Sequence, residues 1–141
     1  MAGRLPYGKR RKYPHMSGDD IPIWERFVVN NPGRFDTVDY DWRVGVGAVP
    51  DPDWAENYQR MVTMLSQKRI DVVGWNGEKP TIIEVKSRVG LSTLGQIFGY
   101  RILFIEEFPH IEAPEILIVT GSIGVDDMRI LKKSSVPVVV V

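Results

Sequence analysis

Asp71, Glu84 and Lys86 carry side chains that could do chemistry, and they lie in two apolar, β-branched segments. These segments, residues 70–75 and 81–85, are separated by the turn signal Asn-Gly-Glu-Lys-Pro. The pattern predicts an antiparallel hairpin. Two carboxylates beside a lysine could hold a divalent cation against a phosphate, because Mg²⁺ and Mn²⁺ prefer oxygen ligands.

The register of this hairpin decides which side chains share a face. An Asn-Gly two-residue turn would pair Trp75 with Glu78, whereas a loop centred between residues 77 and 78 would pair Asp71 with Glu84. Because side chains alternate with a period of two, both registers place Asp71, Glu84 and Lys86 on one face. Trp75 would share that face and could stack on a base, with core packing as the alternative. The opposite face would hold Ile70, Val72, Ile83 and Val85.

Such a face could hydrolyse a phosphodiester. A bound cation polarises the phosphoryl oxygen and lowers the pKa of a bound water. Asp71 and Glu84 could supply carboxylate ligands, and the Val85 carbonyl could supply a third. Lys86 could orient the water or offset charge that develops on the phosphate. A solvated hairpin face is the alternative, since Glu-x-Lys is a frequent charge pair.

A helix predicted over residues 91–108 follows the hairpin, with Ser92 as its N-cap. Gln96 and Tyr100 are four residues apart and therefore share a face of this helix. Gly95 and Gly99 lie beside them, and glycine within a helix costs about 1 kcal/mol relative to alanine. The two glycines therefore indicate a close approach, either to the sheet or to a phosphate backbone.

The order Asp71, Glu84-Val-Lys86 and Gln96-x-x-x-Tyr100 resembles the PD-(D/E)xK nuclease superfamily, and the last element is similar to its RecB-like and exonuclease branches. The resemblance implies an α/β fold, a restriction-endonuclease-like αβββαβ core with a mixed sheet flanked by helices. It also implies hydrolysis dependent on Mg²⁺ or Mn²⁺ that leaves a 5′-phosphate. Asp71 and Glu84 would bind the metal, Lys86 would assist the attack, and Gln96 and Tyr100 would support the substrate or the site.

Two departures from the family pattern concern the residues around these motifs. No proline precedes Asp71, where Ile70 stands instead. The upstream helix of the RecB-like branch often carries Gly-x-x-x-Glu, and Glu25 is the natural catalytic candidate, although Ile21 occupies the glycine position. Glu56, on a second predicted helix, is the competitor. Either glutamate could also be an ordinary surface residue.

Composition favours one folded domain and limits the chemistry. The chain has 141 residues, 43% of them hydrophobic, which is enough for one core. It has no cysteine and two histidines, which excludes thiolate zinc sites and argues against a histidine-based metal site or a Ser-His-Asp triad. No apolar run is long enough to span a bilayer, so we expect no membrane and a cytoplasmic protein.

The amino-terminal end is strongly basic. Residues 1–15 contain five cations and no acid, which leaves −5 on the remainder of a chain whose net charge is zero. We expect residues 1–18 to be a disordered arm before a single domain over residues 19–141. The arm could contact DNA phosphates, or it could be a solubilising tail. Its candidate nucleic-acid-binding residues are Arg4, Lys9, Arg10, Arg11 and Lys12.

The remaining segments predict helices over residues 21–30, 54–66 and 125–133 and strands over 35–46, 115–120 and 136–141. We therefore expect a small Mg²⁺-dependent deoxyribonuclease acting on branched, broken or single-stranded DNA, of viral, mobile-element or repair origin. A homodimer would let one small subunit cut each strand. A non-catalytic nucleic-acid-binding module is the alternative, and an interaction protein is a third possibility.

Overall fold

The computed structural model describes residues 2–141 as a six-stranded mixed sheet with four helices, which confirms the predicted α/β class. The strands are β1 (Leu5–Pro6), β2 (Thr37–Val44), β3 (Lys68–Asn76), β4 (Lys79–Lys86), β5 (Glu115–Thr120) and β6 (Val138–Val140). The helices are α1 (Ile21–Asn30), α2 (Glu56–Ser66), α3 (Leu91–Glu107) and α4 (Val125–Lys133). The strands lie side by side in chain order, antiparallel from β1 to β4 and parallel from β4 to β6.

The central hairpin of β3 and β4 turns at Gly77 and Glu78, between the paired residues Asn76 and Lys79. Gly77 has φ +59°, a left-handed conformation that glycine adopts without steric cost. One of the two predicted registers required an Asn-Gly turn. That register is wrong, because the turn consists of Gly77 and Glu78. The observed register continues to the pair Val72–Ile83, and one further residue along it Asp71 stands opposite Glu84.

Helices cover both faces of the sheet, as the nearly continuous apolar sequence of its parallel strands requires. One face, the α1 face, is covered by α1 and by the amino-terminal segment. The other, the α3 face, is covered by α3 and α4. The largest fully buried side chains include Trp24 and Phe27 on the α1 face and Ile97, Phe104 and Leu131 on the α3 face.

Strands β2 and β3 exchange faces partway along their length. Tyr40 and Val72 belong to the α1 face, but Val44 and Ile70 belong to the α3 face. The exchange occurs at Asp41, which has φ +54° and so interrupts the alternation of side chains. The prediction that Ile70 and Val72 share a face is therefore wrong, because a left-handed aspartate cannot be read from apolar spacing.

Trp75 lies in the core rather than on a solvated face. Its side chain is buried on the α3 face, and its Nε1–H donates a hydrogen bond to Asp39 Oδ2 at 3.0 Å. It cannot stack on a base in this position. The alternative of core packing applies to Trp24 as well, whereas Trp54 is exposed.

The amino-terminal segment is packed against the sheet, so the prediction of a disordered arm over residues 1–18 is wrong for residues 2–18; Met1 lies outside the described residues. Strand β1 pairs with the edge of β2. Tyr7 packs edge-on against Trp24, and Tyr13 is buried against Tyr40. The basic composition suggested disorder, but the interleaved tyrosines anchor the segment. Within residues 2–141, no helix is long and apolar enough to cross a membrane.

Candidate active site

Asp71 and Glu84 meet where the ladder between β3 and β4 ends. The Val85 N–H donates a hydrogen bond to Asp71 Oδ2 at 2.9 Å, and the Asp71 N–H donates a longer one to Glu84 Oε1 at 3.4 Å. Each carboxyl group thus accepts a hydrogen bond from a backbone N–H of the neighbouring strand, where a backbone carbonyl would accept it in a regular ladder. The two acids that the sequence predicted on one face are brought side by side.

Burial and mutual repulsion dominate the electrostatics of this pair. Burial, followed by the charge of Asp71, raises the pKa of Glu84 to about 9. Burial also raises the pKa of Asp71, while the hydrogen bond from Val85 and the charge of Lys86 act in the opposite direction. Two adjacent carboxylates cannot both ionise easily in a buried place. At neutral pH and without a bound cation, Glu84 therefore carries a proton.

Lys86 is the cation of the site. Its Nζ lies 3.9 Å from Glu84 Oε2, an ion-pair contact too long for a hydrogen bond. About a third of the Lys86 side chain is exposed, whereas Glu84 is almost completely buried. The lysine therefore connects the buried acids with the solvent.

Asp20 is a third acid near the pair. It stands at the start of α1, and its Oδ1 accepts the N–H of Ser87 at 2.8 Å. Its charge contributes to the raised pKa of Asp71. Asp20 occupies the N-cap position of α1, yet its side chain makes no capping hydrogen bond and accepts one from the Ser17 hydroxyl instead. Only the packing of α1 against the sheet brings it to the end of β4.

Gln96 and Tyr100 line a cavity of about 270 Å³ on α3. A Cβ atom added at Gly95 or Gly99 would meet no atom within 4 Å. These glycines are therefore not needed for close helix–sheet packing, and they leave open space beside Gln96 and Tyr100. The cavity is lined by Lys68, Gly95, Gln96, Gly99, Tyr100 and Leu103.

Tyr100 is electrostatically linked to the acid pair. Burial raises its pKa to about 12, and the charges of Glu84 and Asp71 add to the shift. The phenol is therefore neutral and can donate a hydrogen bond throughout the physiological range. Gln96 shares the cavity, but among the described residues its side chain makes no hydrogen bond to either acid.

The two upstream glutamates lie elsewhere. Glu25 Oε2 accepts the Tyr13 hydroxyl at 3.2 Å and lies 3.9 Å from Lys9 Nζ. Glu56 is exposed on α2 and pairs with Arg60 at 3.0 Å. Neither contacts Asp71 or Glu84, so the structure does not bring Glu25 into the group formed by the acids and Lys86.

The five basic residues of the amino-terminal segment fall into two sets. Arg4 Nε lies 2.6 Å from Asp39 Oδ1, and Lys9 approaches Glu25. These two cations have acidic partners within the fold. Arg10, Arg11 and Lys12 are exposed and, within residues 2–141, form no ion pair. The phosphate-binding role of the five residues stays a prediction, and the two sets differ only in whether an acid of the fold already pairs with the cation.

The donor set at the acid pair suits a small divalent cation. Val85 directs its N–H to Asp71, and since the N–H and C=O of a strand residue point to the same edge, its carbonyl lies on that side too. Two carboxylates and a carbonyl are hard oxygen donors of the kind that Mg²⁺ and Mn²⁺ prefer, with waters completing the shell. Within residues 2–141, no three His, Asp or Glu side chains are grouped so as to hold a metal ion.

No model of a known protein family matches the chain, and neither a curated protein nor a solved structure matches it.

Proposed function

We propose that this protein is a metal-dependent deoxyribonuclease that hydrolyses phosphodiester bonds. The observation that carries the proposal is the pair of buried carboxyl groups, Asp71 and Glu84, held side by side with Lys86 at the end of the central hairpin. Structural acids in a core are normally matched by hydrogen-bond donors or cations. These two acids cannot both ionise without repelling each other, and a bound cation would relieve that repulsion.

The order of the elements supports the same reading. Omitting the additional elements β1, α2, α4 and β6, the chain runs α1, β2, β3, β4, α3, β5. This is the αβββαβ order implied by the resemblance to PD-(D/E)xK nucleases. Asp71 lies on its second strand, Glu84 and Lys86 on its third, and Gln96 and Tyr100 on the helix that follows.

Each residue has a proposed role in the hydrolysis. Asp71, Glu84 and the Val85 carbonyl hold the cation. A bound Mg²⁺ or Mn²⁺ supplies Lewis-acid polarisation of the phosphate and a water of lowered pKa. Lys86 orients the attacking water and offsets charge on the phosphate. The water oxygen forms a bond to phosphorus while the bond from phosphorus to the 3′-oxygen breaks. The 3′-oxygen takes up a proton from solvent, so the products end in a 5′-phosphate and a 3′-hydroxyl.

The proposed substrate is branched, broken or single-stranded DNA. Tyr100 and Gln96 line the cavity on α3, and the charges of the acid pair act on the pKa of Tyr100. A homodimer would place one acid pair on each strand of a duplex.

A non-catalytic nucleic-acid-binding module is the second candidate. It is favoured by the donor set itself, because only two carboxylates meet and the pKa of Glu84 is raised to about 9. A neutral Glu84 can remain buried at pH 7 without any metal, which is compatible with a binding role alone.

Incubation with labelled linear, circular and branched DNA separates the two candidates. We expect cleavage with Mg²⁺ or Mn²⁺, 5′-phosphate ends, and no cleavage in EDTA. Glu84→Gln should be inactive, whereas the matched control Glu56→Gln should cut normally because Glu56 is exposed on α2. DNA binding without cleavage under either metal would favour the module, and full activity in EDTA would exclude the proposed site.

A further inference from the structure

Two strained residues meet beside the acid pair. Within residues 2–141, three non-glycine residues have positive φ, and two of them, His15 at 56° and Asp41 at 54°, are in contact. His15 Nε2 lies 3.3 Å from Asp41 Oδ2. Left-handed backbone costs free energy in residues other than glycine, and such strain is concentrated at functional sites. This contact therefore calls for an explanation beyond folding alone.

Two arginines surround the same aspartate. Arg43 and Arg69 are paired across β2 and β3. Arg69 Nε lies 3.7 Å from Asp41 Oδ1, and Arg43 Nη2 lies 3.7 Å from Asp41 Oδ2. Both distances are too long for hydrogen bonds. Asp41 thus attracts both guanidinium groups without occupying their N–H donors.

Several polar atoms of this cluster have no partner. Asp41 Oδ1 and Arg43 Nε are buried without a hydrogen bond. Arg69 Nη1 lies 2.7 Å from His15 Nδ1, and because a guanidinium only donates, the imidazole nitrogen must accept. The His15 proton is then on Nε2, facing Asp41, and the ring is neutral. Within residues 2–141 the two guanidinium groups donate no other hydrogen bond, and although Arg43 Nε is buried, both side chains are partly exposed to an arriving oxyanion.

The charges of the cluster do not balance. Two arginines face one aspartate and a neutral histidine, so these four residues together carry a charge of +1, with the Asp71 carboxyl beyond them. Only 28% of the Arg43 side chain and 26% of the Arg69 side chain are exposed, so solvent screens them incompletely. A cavity of about 130 Å³ opens here and extends to Asp71. It is lined by Pro14, His15, Asp41, Arg69, Ile70 and Asp71.

We propose that Arg43 and Arg69, positioned by Asp41 and His15, bind a backbone phosphate of a nucleic-acid strand next to the phosphodiester at the acid pair. The identity of the strand as substrate rests on the proposed function; the anion site itself does not. Arginine suits this role because its planar fork can donate two parallel hydrogen bonds to a phosphate. The exposed cations at positions 10–12 lie on the same amino-terminal segment as His15.

Binding without cleavage tests this subsite. The full chain would be titrated against a fluorescent single-stranded oligonucleotide in EDTA, at several salt concentrations. Arg43→Gln and Arg69→Gln should each weaken binding at least fivefold. Each lost phosphate contact should flatten the slope of log affinity against log salt by about 0.7. The matched control is Arg129→Gln on α4, an exposed arginine outside the cluster, which should bind like the wild type.

Unchanged affinity and salt slope in folded Arg43→Gln and Arg69→Gln would overturn the proposal. If a variant does not fold, the arginine Nε–H signals of the wild type are followed by NMR during the same titration, assigned with Arg→Lys variants. Shifts of Arg43 and Arg69 support the subsite, and their absence overturns it. If inorganic phosphate shifts these signals but the oligonucleotide does not, the site binds free phosphate and the nucleic-acid assignment is overturned.

A parallel cleavage assay with Mg²⁺ separates this inference from the proposed function. Arginine-dependent binding without cleavage would leave the subsite in place and remove the nuclease. Cleavage by a protein whose DNA binding does not depend on Arg43 and Arg69 would support the nuclease and remove the subsite.

Discussion

Asp39 and Glu84 are both almost completely buried acids on strands of the same sheet, yet their surroundings differ sharply. Asp39 accepts hydrogen bonds from Arg4 Nε at 2.6 Å, from the Arg4 N–H at 3.3 Å and from Trp75 Nε1 at 3.0 Å. Glu84 accepts one long hydrogen bond, from the Asp71 N–H at 3.4 Å, and Lys86 stays 3.9 Å away.

The difference separates an acid that serves the fold from one that is available to a ligand. A buried charge is tolerated when donors and an opposite charge surround it, as they do at Asp39. Glu84 instead faces a second acid, and its pKa is raised to about 9. Strongly perturbed acids that share a site are candidates for function, because burial and repulsion prepare them for a cation or a proton.

The largest expected effect is on cleavage. Asp71→Asn and Glu84→Gln keep the shape of each side chain but remove the charge needed to hold a cation. We expect each to reduce cleavage by at least about 1,000-fold, which corresponds to roughly 4 kcal/mol in the barrier. Folded Asp39→Asn should cut at the wild-type rate per molecule, measured as single-turnover cleavage of labelled DNA. Equal losses in all three variants would remove the distinction between the two acids.

The grouping around Glu84 could be predicted from the sequence, because it depends on residues within one hairpin. Alternation along the strands and the turn signal suffice to bring Asp71, Glu84 and Lys86 to one face, since both possible registers do so. Asp39 and Asp20 could not be assigned in this way. Their roles depend on Arg4, Trp75 and Ser87, partners that lie 35, 36 and 67 residues away in the chain.

The two regions for which the prediction from sequence was wrong share a physical cause. The exchange of faces depends on the left-handed backbone of Asp41, and local propensity does not indicate a left-handed aspartate in the middle of a strand. The amino-terminal segment is ordered by contacts of Tyr7 and Tyr13 with distant aromatic residues, which outweigh its basic composition. Both features are set by tertiary packing.

The second expected effect is on stability, and here the substitution at Asp39, rather than the one at Glu84, should cause the loss. Asp39→Ala removes the acceptor of the buried Trp75 indole N–H, and a buried unsatisfied donor costs about 1–3 kcal/mol. We expect the free energy of unfolding, measured by urea denaturation at pH 8 in EDTA, to fall by about that amount. Glu84→Gln should leave it unchanged or raise it, because glutamine is already neutral and folding no longer requires a carboxyl group to take up a proton. A larger loss in Glu84→Gln than in Asp39→Ala would contradict this comparison.

A third expectation is a pH dependence of stability that belongs to Glu84. Its pKa is raised in the folded state, from 4.5 to about 9, so the folded chain retains a proton that the unfolded chain has lost. The stability associated with that proton is complete below pH 4.5 and is lost as the pH rises through about 9. In this range it falls by up to about 1.4 kcal/mol per pH unit.

The measurement is urea unfolding in EDTA at pH 6, 7 and 8, for the wild type and for Glu84→Gln. The difference between the two proteins isolates the glutamate from other titrating groups. We expect the variant to lack the decline. Parallel curves for the two proteins would mean that Glu84 ionises normally and that its burial next to Asp71 has no energetic consequence.

The smallest expected effect separates the two cations that accompany the buried acids. Lys86 Nζ stays 3.9 Å from its acid, whereas Arg4 is 2.6 Å from Asp39, so Lys86 is the cation that remains free to act on a substrate. Lys86→Ala should bind Mn²⁺, as measured by calorimetry, but cleave at least tenfold more slowly, a barrier change of about 1.4 kcal/mol. Arg4→Ala is the matched control: it should lower the melting temperature without changing single-turnover cleavage at saturating enzyme. Wild-type turnover by Lys86→Ala would mean that this lysine only balances charge at the surface, as Arg4 does at Asp39, and that the attacking water is oriented by another group.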